Sequence, residues 1–272
     1  MMAMTLGCVH NVGMGEGVQG AQVVHRLAGV LRIVSAAMPE GITTSDVARA
    51  ASLPRPTAHR LLASLAAEGF LDHDRRSGRW LLGPELYLMG SVASERYDIS
   101  SLAREHVRAL AEATGESAFF SVRRGNETVC LLREDGAFPI RSFVLHEGKR
   151  FPLGVASAGL AILAFLPEQT VENYLVDTNL AAEHGDGHGP DEIRARIHET
   201  RALGYAVNPG LIVNGSWGMG AAVFDPSGQP AWALNLTGIA PRFADERRPE
   251  LGRLLLHHAH ELSRKLRPSP SR

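Results

Sequence analysis

The chain has 272 residues, 28 of them basic and 29 acidic, for a formal net charge of −1. That length supports two modest domains with separate cores, and the near-neutral balance gives no global signal of a polyanionic partner. No apolar run approaches the roughly 18 residues of a spanning helix, so no membrane partner is expected. Two cysteines, Cys8 and Cys130, are too few for a cysteine-built zinc site and fit a reducing cytoplasm without structural disulfides.

Residues 1–20, "MMAMTLGCVHNVGMGEGVQG", are Gly- and Met-rich, lack the basic-then-apolar order of a signal peptide, and read as a disordered tail. Residues 268–272, "PSPSR", read the same way. Over residues 23–37, Val24, Leu27, Leu31 and Val34 recur at helical spacing, and "MPEGI" ends the run. Thr43 stands three residues before Asp46, a capping-box-like helix start in which Asp replaces the usual Glu. Val47, Ala48 and Ala51 give the short helix that follows one small-residue face. "SLPRP" breaks it, and Pro56 suits the first turn of the next helix, where a missing N–H leaves nothing unpaired. In that second helix Ala58, Leu61, Leu62 and Leu65 fall on one side, Pro56, Arg60 and Ala63 opposite, and Thr57, His59 and Ser64 on the flanks. Two apolar arms, around Phe70–Leu71 and Trp80–Leu82, then enclose "DRRSG", a hairpin with Arg75 and Arg76 at its tip and Arg79 on the return arm.

Helix, short helix, turn, helix, hairpin is the order of a winged helix-turn-helix, whose second helix enters the major groove of double-stranded DNA while the wing follows the backbone. Charge alone does not make the case: eight arginines against six acids over residues 20–90 leave a net of +2. The concurrence of cap, break, leucine face and Arg-tipped hairpin makes it, and marks Arg55, Pro56, Thr57, His59, Arg60, Arg75, Arg76 and Arg79 as candidate DNA contacts. A basic face on a lone helix would otherwise describe a solvated surface.

Residues 84–112 read as helical with an interruption near "RYDIS", fitting a linker with Leu86, Leu88 and Met89 as contact candidates for a second copy. Beyond it, "SAFFSVRRGNETVCLLRED" is two strand-like runs around Gly-Asn, "IRSFVL" a third, and "AVFDPSGQPAWALNLTG" a hairpin turning at Asp-Pro-Ser-Gly. Helical patterns fill 156–165, 168–177, 190–203 and 245–265. Antiparallel strands mixed with helices predict an α+β domain, one sheet face covered and a pocket on the other.

Residues 22–90 resemble the N-terminal domain of IclR-type bacterial transcription regulators, on "TTSDVARAASLPRPTAHRLLASLAAEGFL" and "GRWLLGPELYLMG". The likeness continues through "ALAEATGESAFFSV", "FPLGVASAGLAILAFLP", "RALGYAVNPG" and "GMGAAVFDPSGQPAWALNLTG", in that order, covering roughly residues 22–265. It implies a winged helix-turn-helix domain over 21–83, a linker helix over 84–99 and a GAF-like antiparallel-sheet effector domain over 100–267. It further implies a homodimer or dimer of dimers on a pseudo-palindromic operator, with a small organic acid modulating affinity. The effector positions that the resemblance carries over are Ser157 and Ala158 at a helix start, then Asn208, Gly218, Asn235 and Thr237 on strands. Here the chain departs from its relatives: "NPGLIVNG" stands where an acidic cluster is common, Gly218 where a cysteine is frequent, and Asn235 where a serine is. A more neutral pocket, roomier at Gly218, is the expectation, and with it an aromatic or longer aliphatic acid. The plainer reading of Asn208 and Asn235 is that they bond only backbone.

Three other readings are weaker. "GVASAGLA" places Ser157 in G-x-x-S-x-G, not the G-x-S-x-G of a hydrolase nucleophile elbow, and no matching Asp and His follow. His257, His258 and His260, or His184 and His188, are histidine clusters, and His257 and His260 share a helical face that a zinc ion could use; exposed histidines are the commoner outcome, so neither a metal nor a cofactor is expected. A sensor working through protein contacts alone would leave the Arg75, Arg76 and Arg79 hairpin without a phosphate backbone to meet.

Overall fold

The computed structural model describes residues 22–96 and 99–266. The expected tails over 1–20 and 268–272 lie outside those residues. The chain divides into two compact units between residues 97 and 98.

In the first unit, helix α1 (Gln22–Ala36) leads to β1 (Ile42–Thr43), α2 (Thr44–Ala50), α3 (Arg55–Ala67), β2 (Leu71–Asp74), β3 (Arg79–Leu82) and α4 (Pro84–Arg96). Val30, Val34, Val47, Ala58, Leu62, Leu65, Leu71 and Trp80 form its core. Burial on α1 centres on Val30 and Val34, and Val24 is exposed. Thr43 caps α2 as its spacing predicts: its hydroxyl accepts from the Asp46 amide and donates to the Asp46 carboxylate at 2.7 Å. That hydroxyl, ahead of the Arg49 charge, holds the Asp46 carboxyl below its ordinary range. The hairpin is joined by a third strand, giving the order β1-β3-β2. Buried Trp80 of β3 donates its indole N–H to Thr44 Oγ1 at 2.9 Å, fastening the hairpin to the start of α2.

The described part of the second unit begins with α5 (Ile99–Thr114); residues 97 and 98, within the interruption expected near "RYDIS", lie outside the described residues. Then come β4 (Ser117–Arg124), β5 (Glu127–Glu134), β6 (Arg150–Pro152), α6 (Ser157–Ala164), α7 (Glu168–Asp177), α8 (Leu180–His184), α9 (Pro190–Leu203), β7 (Ala206–Pro209), β8 (Ser216–Phe224), β9 (Pro230–Ile239) and α10 (Arg248–Lys265). The six strands form one antiparallel sheet in the order β6-β5-β4-β9-β8-β7.

Two expectations are corrected here. Residues 140–145, "IRSFVL", form no strand; they belong to an irregular loop over 135–149, and the edge of β5 is taken by β6, with Glu127 opposite Pro152. Both faces of the sheet are covered, not one. Strand alternation sends Ala118, Phe120, Leu234 and Leu236 toward α5 and α10, and Phe119, Cys130 and Ala233 toward α6. Every residue of α6 is buried, as a helix apolar on all sides must be when it is packed between a sheet and further helices. Cys130, buried in that layer, has its thiol pushed up to about 12 by desolvation, which makes it an inert packing residue.

Candidate functional sites

In the first unit Arg55, Pro56, His59 and Arg60 are exposed on α3, and Thr57 is half-buried beside them. Ala58, Leu62 and Leu65 point into the core, so the sequence-predicted outer face is the outer face. The hairpin turn is closed by Asp74, whose carboxylate accepts from the Arg76 amide at 2.9 Å and the Ser77 hydroxyl at 2.6 Å. These two bonds hold the Asp74 carboxyl below its usual range and leave Arg75 and Arg76 on an ordered, exposed tip. Arg79 differs from them. Its guanidinium donates to the Gly41 carbonyl at 2.8 Å, tying β3 to the start of β1, so part of its donor capacity is structural.

On α4, Tyr87, Leu88, Met89 and Val92 are exposed apolar side chains, Tyr87 at 76% and Val92 at 74%. Leu86, singled out from the sequence, is half-buried instead.

In the second unit a cavity lies between the α6 side of the sheet and two loops. Its empty space, mouth and adjoining solvent included, is about 350 Å³. Strand register explains its floor. Asn208 of β7 pairs with Gly218 of β8, and Gly218 pairs with Thr237 of β9, so the three stand in one row on one face. Asn235 lies two residues along β9 on that same face, opposite Gly220. The remaining lining comes from Ala156 and Ser157 at the head of α6, from Val144, Leu145 and Phe151, and from Ile212, Ser216 and Trp217.

Five of the six sequence-predicted effector positions therefore line one cavity; Ala158 does not. Its amide nitrogen lies against Gly220 of β8, 3.2 Å from where a Cβ there would sit, and Ala156 takes its place at the cavity wall. Gly218 lines the cavity floor beside α6. A Cβ there would lie 3.0 Å from Ser157 Oγ, so the glycine lets the first turn of α6 settle on the sheet. The Asn208 amide is occupied by backbone, its Nδ2 donating to the Val155 carbonyl at 2.6 Å and its Oδ1 accepting from the Leu211 amide at 3.2 Å. For that residue the plainer reading of the sequence is the one the geometry matches.

Two features leave capacity for a guest. No side chain caps the N-terminus of α6, and the first intrahelical bond runs from the Leu160 amide to the Ala156 carbonyl. The Thr237 hydroxyl is buried in the cavity floor without a partner among the described residues. Asn235, 1% exposed, receives only a 3.5 Å contact from Ser121. Among the described residues that line the cavity, none is ionisable. Sequence reasoning missed Val144, Leu145 and Ile212, which loops carry without any periodic signal, and Phe151, Ser216 and Trp217, which stand on β6 and at the start of β8.

A model of the bacterial transcriptional regulator IclR C-terminal domain matches residues 92–264, and a model of the IclR helix-turn-helix domain matches residues 23–75. The chain belongs to the IclR family. Members of that family are transcriptional regulators and not enzymes, so the Ser157 hydrolase reading is set aside. Among curated IclR-family relatives, the HTH-type transcriptional regulator KipR of Bacillus subtilis is 28% identical over 226 residues, covering 83% of this chain and 90% of KipR. The transcriptional repressor IclR of Escherichia coli is 25% identical over 224 residues, 82% of each chain. Among solved structures, Thermotoga maritima IclR aligns with a TM-score of 0.69 at 25% identity, over 90% of this chain and 98% of that one. An IclR homologue from Microbacterium hydrocarbonoxydans, solved with 4-hydroxybenzoate, aligns with a TM-score of 0.73 at 24% identity, over 91% of this chain and all of that one.

The described residues of this IclR-family chain hold no group of three or more His, Cys, Asp or Glu side chains arranged for a metal ion. No helix among them is long and apolar enough to cross a membrane.

Proposed function

We propose that this IclR-family regulator is a cytoplasmic operator-binding protein whose affinity for DNA is set by a small organic acid in the α6 cavity. The observation that carries the ligand half is the Thr237 hydroxyl, buried in the cavity floor with no partner among the described residues, beside the uncapped α6 N-terminus. A buried hydroxyl without a partner is disfavoured, and unpaired helix N–H groups attract a carboxylate. One ligand oxygen pair supplies both needs. The complex of the Microbacterium homologue with 4-hydroxybenzoate supports an acid of that kind.

The DNA half rests on the exposed face of α3, with Arg55, Pro56, Thr57, His59 and Arg60 toward the major groove and Arg75 and Arg76 on phosphates. A pseudo-palindromic operator needs two heads about 34 Å apart. The apolar stripe of Tyr87, Leu88, Met89 and Val92 on α4 is the proposed contact that pairs them, as a homodimer or within a dimer of dimers.

The test is an operator selected from random genomic fragments, titrated with and without small carboxylates. The ligand must prefer one arrangement of the protein, since equal affinity for both shifts nothing. Asn235→Leu is expected to abolish the ligand's effect on DNA affinity and to leave ligand-free DNA binding near wild type. Normal ligand response in that variant would place the effector elsewhere.

A further inference from the structure

The cavity's charge pattern carries a narrower conclusion, which rests on the effector reading above. Its polar lining is hydroxyl, amide and indole, and no lysine, arginine, histidine, aspartate or glutamate is among the lining residues described. Two cations stand against aromatic residues of the wall. The Arg248 guanidinium lies 5.4 Å from the Trp217 ring centroid and is paired with Asp245; the Lys149 ammonium lies 5.1 Å from the Phe151 ring centroid. Neither residue lines the cavity. Arg150, next to Phe151 in sequence, is paired with Glu127.

A helix N-terminus offers about half a positive charge within its first turn. That offsets part of one carboxylate's charge and leaves nothing for a second. A second carboxylate would stand against Val144, Leu145 or Ile212, which offer neither a side-chain donor nor a counter-charge. We infer that the cavity selects singly charged acids with an uncharged, largely apolar body, and rejects dicarboxylates of the same length. The carboxylate sits at the α6 head near Thr237, and the body lies along Val144, Phe151, Ile212 and Trp217.

The experiment uses the full chain and two matched probe pairs at pH 7.5, measured by calorimetry: 4-hydroxybenzoate against terephthalate, and hexanoate against adipate. The expected result is that at least one monoanion binds and its dianionic partner binds at least a hundredfold more weakly. Ile212→Arg, which places a cation on the half-buried loop wall, is expected to recover most of the lost dianion affinity; its circular dichroism is compared with wild type. Equal binding of a monoanion and its dianion overturns the charge selection while leaving the effector reading standing. Failure of both monoanions overturns the effector reading, and the selection falls with it. If Ile212→Arg folds but does not improve dianion binding, size and not charge excludes the second carboxylate, and the inference is wrong.

Discussion

The Nδ1 atoms of His106 on α5 and His258 on α10 lie 3.0 Å apart, close enough for one to donate to the other and too close for both to carry a proton. Burial is the main force holding His258 down to about 4, with the His106 and His257 charges adding to it and Glu261 opposing. His106 is lowered by burial first and by Lys265 next, against Glu105 and Glu261. A histidine depressed in the folded state binds fewer protons there than in the unfolded chain. Its contribution is therefore complete above the unfolded value of about 6.5 and is lost as pH falls from there toward about 4. Because His258 is only half-buried, solvent screening reduces the effect to about 1–2 kcal/mol. Thermal unfolding from pH 7.5 to 4.5 should show a steeper acid loss for wild type than for His258→Phe. Parallel curves would remove the pair from the acid response.

Glu116 is a buried carboxylate in the same unit, and it has two arginine partners. Its Oε1 accepts from Arg242 Nε and Arg247 Nη1, both at 2.7 Å, while the carboxylate is 1% exposed. Both arginines also donate to the Thr114 carbonyl. Gly238 permits this arrangement, since a Cβ there would lie 2.4 Å from Glu116 Oε2. Glu116→Ala leaves two partly buried guanidiniums without their acceptor and should cost about 3 kcal/mol. Urea unfolding of the full chain checks it; a loss below about 1 kcal/mol would mean that water replaces the carboxylate.

What could be read from the sequence was mostly local. The α2–α3 pair is written in a cap at Thr43, a break at Pro54 and Pro56, and the Ala58, Leu62 and Leu65 stripe, all within reach of short-range rules. Strand β1 could not be read that way. It is two residues long and exists because Ile42 and Thr43 pair with Trp80 and Arg79, far along the chain. The "IRSFVL" stretch has the composition of a strand but no free edge to pair with, because β6 occupies it. The cavity divides the same way. Asn235 and Thr237 follow from β9, but the walls at Val144, Leu145 and Ile212 come from loops whose course only the packed fold determines. The close approach of Gly218 to Ser157, a non-local neighbour, could not be read from the sequence either.

On DNA, Arg60 and Arg75 should behave differently. Arg60 is exposed mid-way along α3, where side chains reach base edges, and Arg75 is at the wing tip, where they meet phosphates. Arg60→Ala should cost about 1–3 kcal/mol on the operator and relax sequence preference. Arg75→Ala should weaken specific and random DNA alike and lower the salt slope by about one. Equal losses on both kinds of DNA for Arg60→Ala would remove it from base reading.

Ser52 is the one non-glycine residue with positive φ among the described residues, at +52°, in the turn between α2 and α3. A side chain in that left-handed conformation is strained by about 1–2 kcal/mol, part of which the greater freedom of unfolded glycine offsets. Ser52→Gly should therefore stabilise the helix-turn-helix unit by about 0.5–1 kcal/mol, and Ser52→Val should destabilise it by more than that. Thermal unfolding of the full-length variants gives the order directly. The reverse order would mean that the turn relaxes freely and stores no strain.

Thr237 separates stability from ligand binding. Its hydroxyl is buried without a partner, so the empty protein gains nothing from it and bears the cost of hiding it from water. Thr237→Val keeps the shape and removes the hydroxyl. Without ligand, the variant should unfold at the same temperature as wild type or slightly higher. With a carboxylate in the cavity, the same hydroxyl would donate to a charged oxygen, a bond worth about 1.5–3 kcal/mol. Affinity for a bound monocarboxylate should then fall at least tenfold. Calorimetry and thermal unfolding on the same samples test both halves. Unchanged affinity would mean that the hydroxyl never meets the ligand, whereas a marked loss of stability without ligand would mean that it has a structural partner in the empty protein.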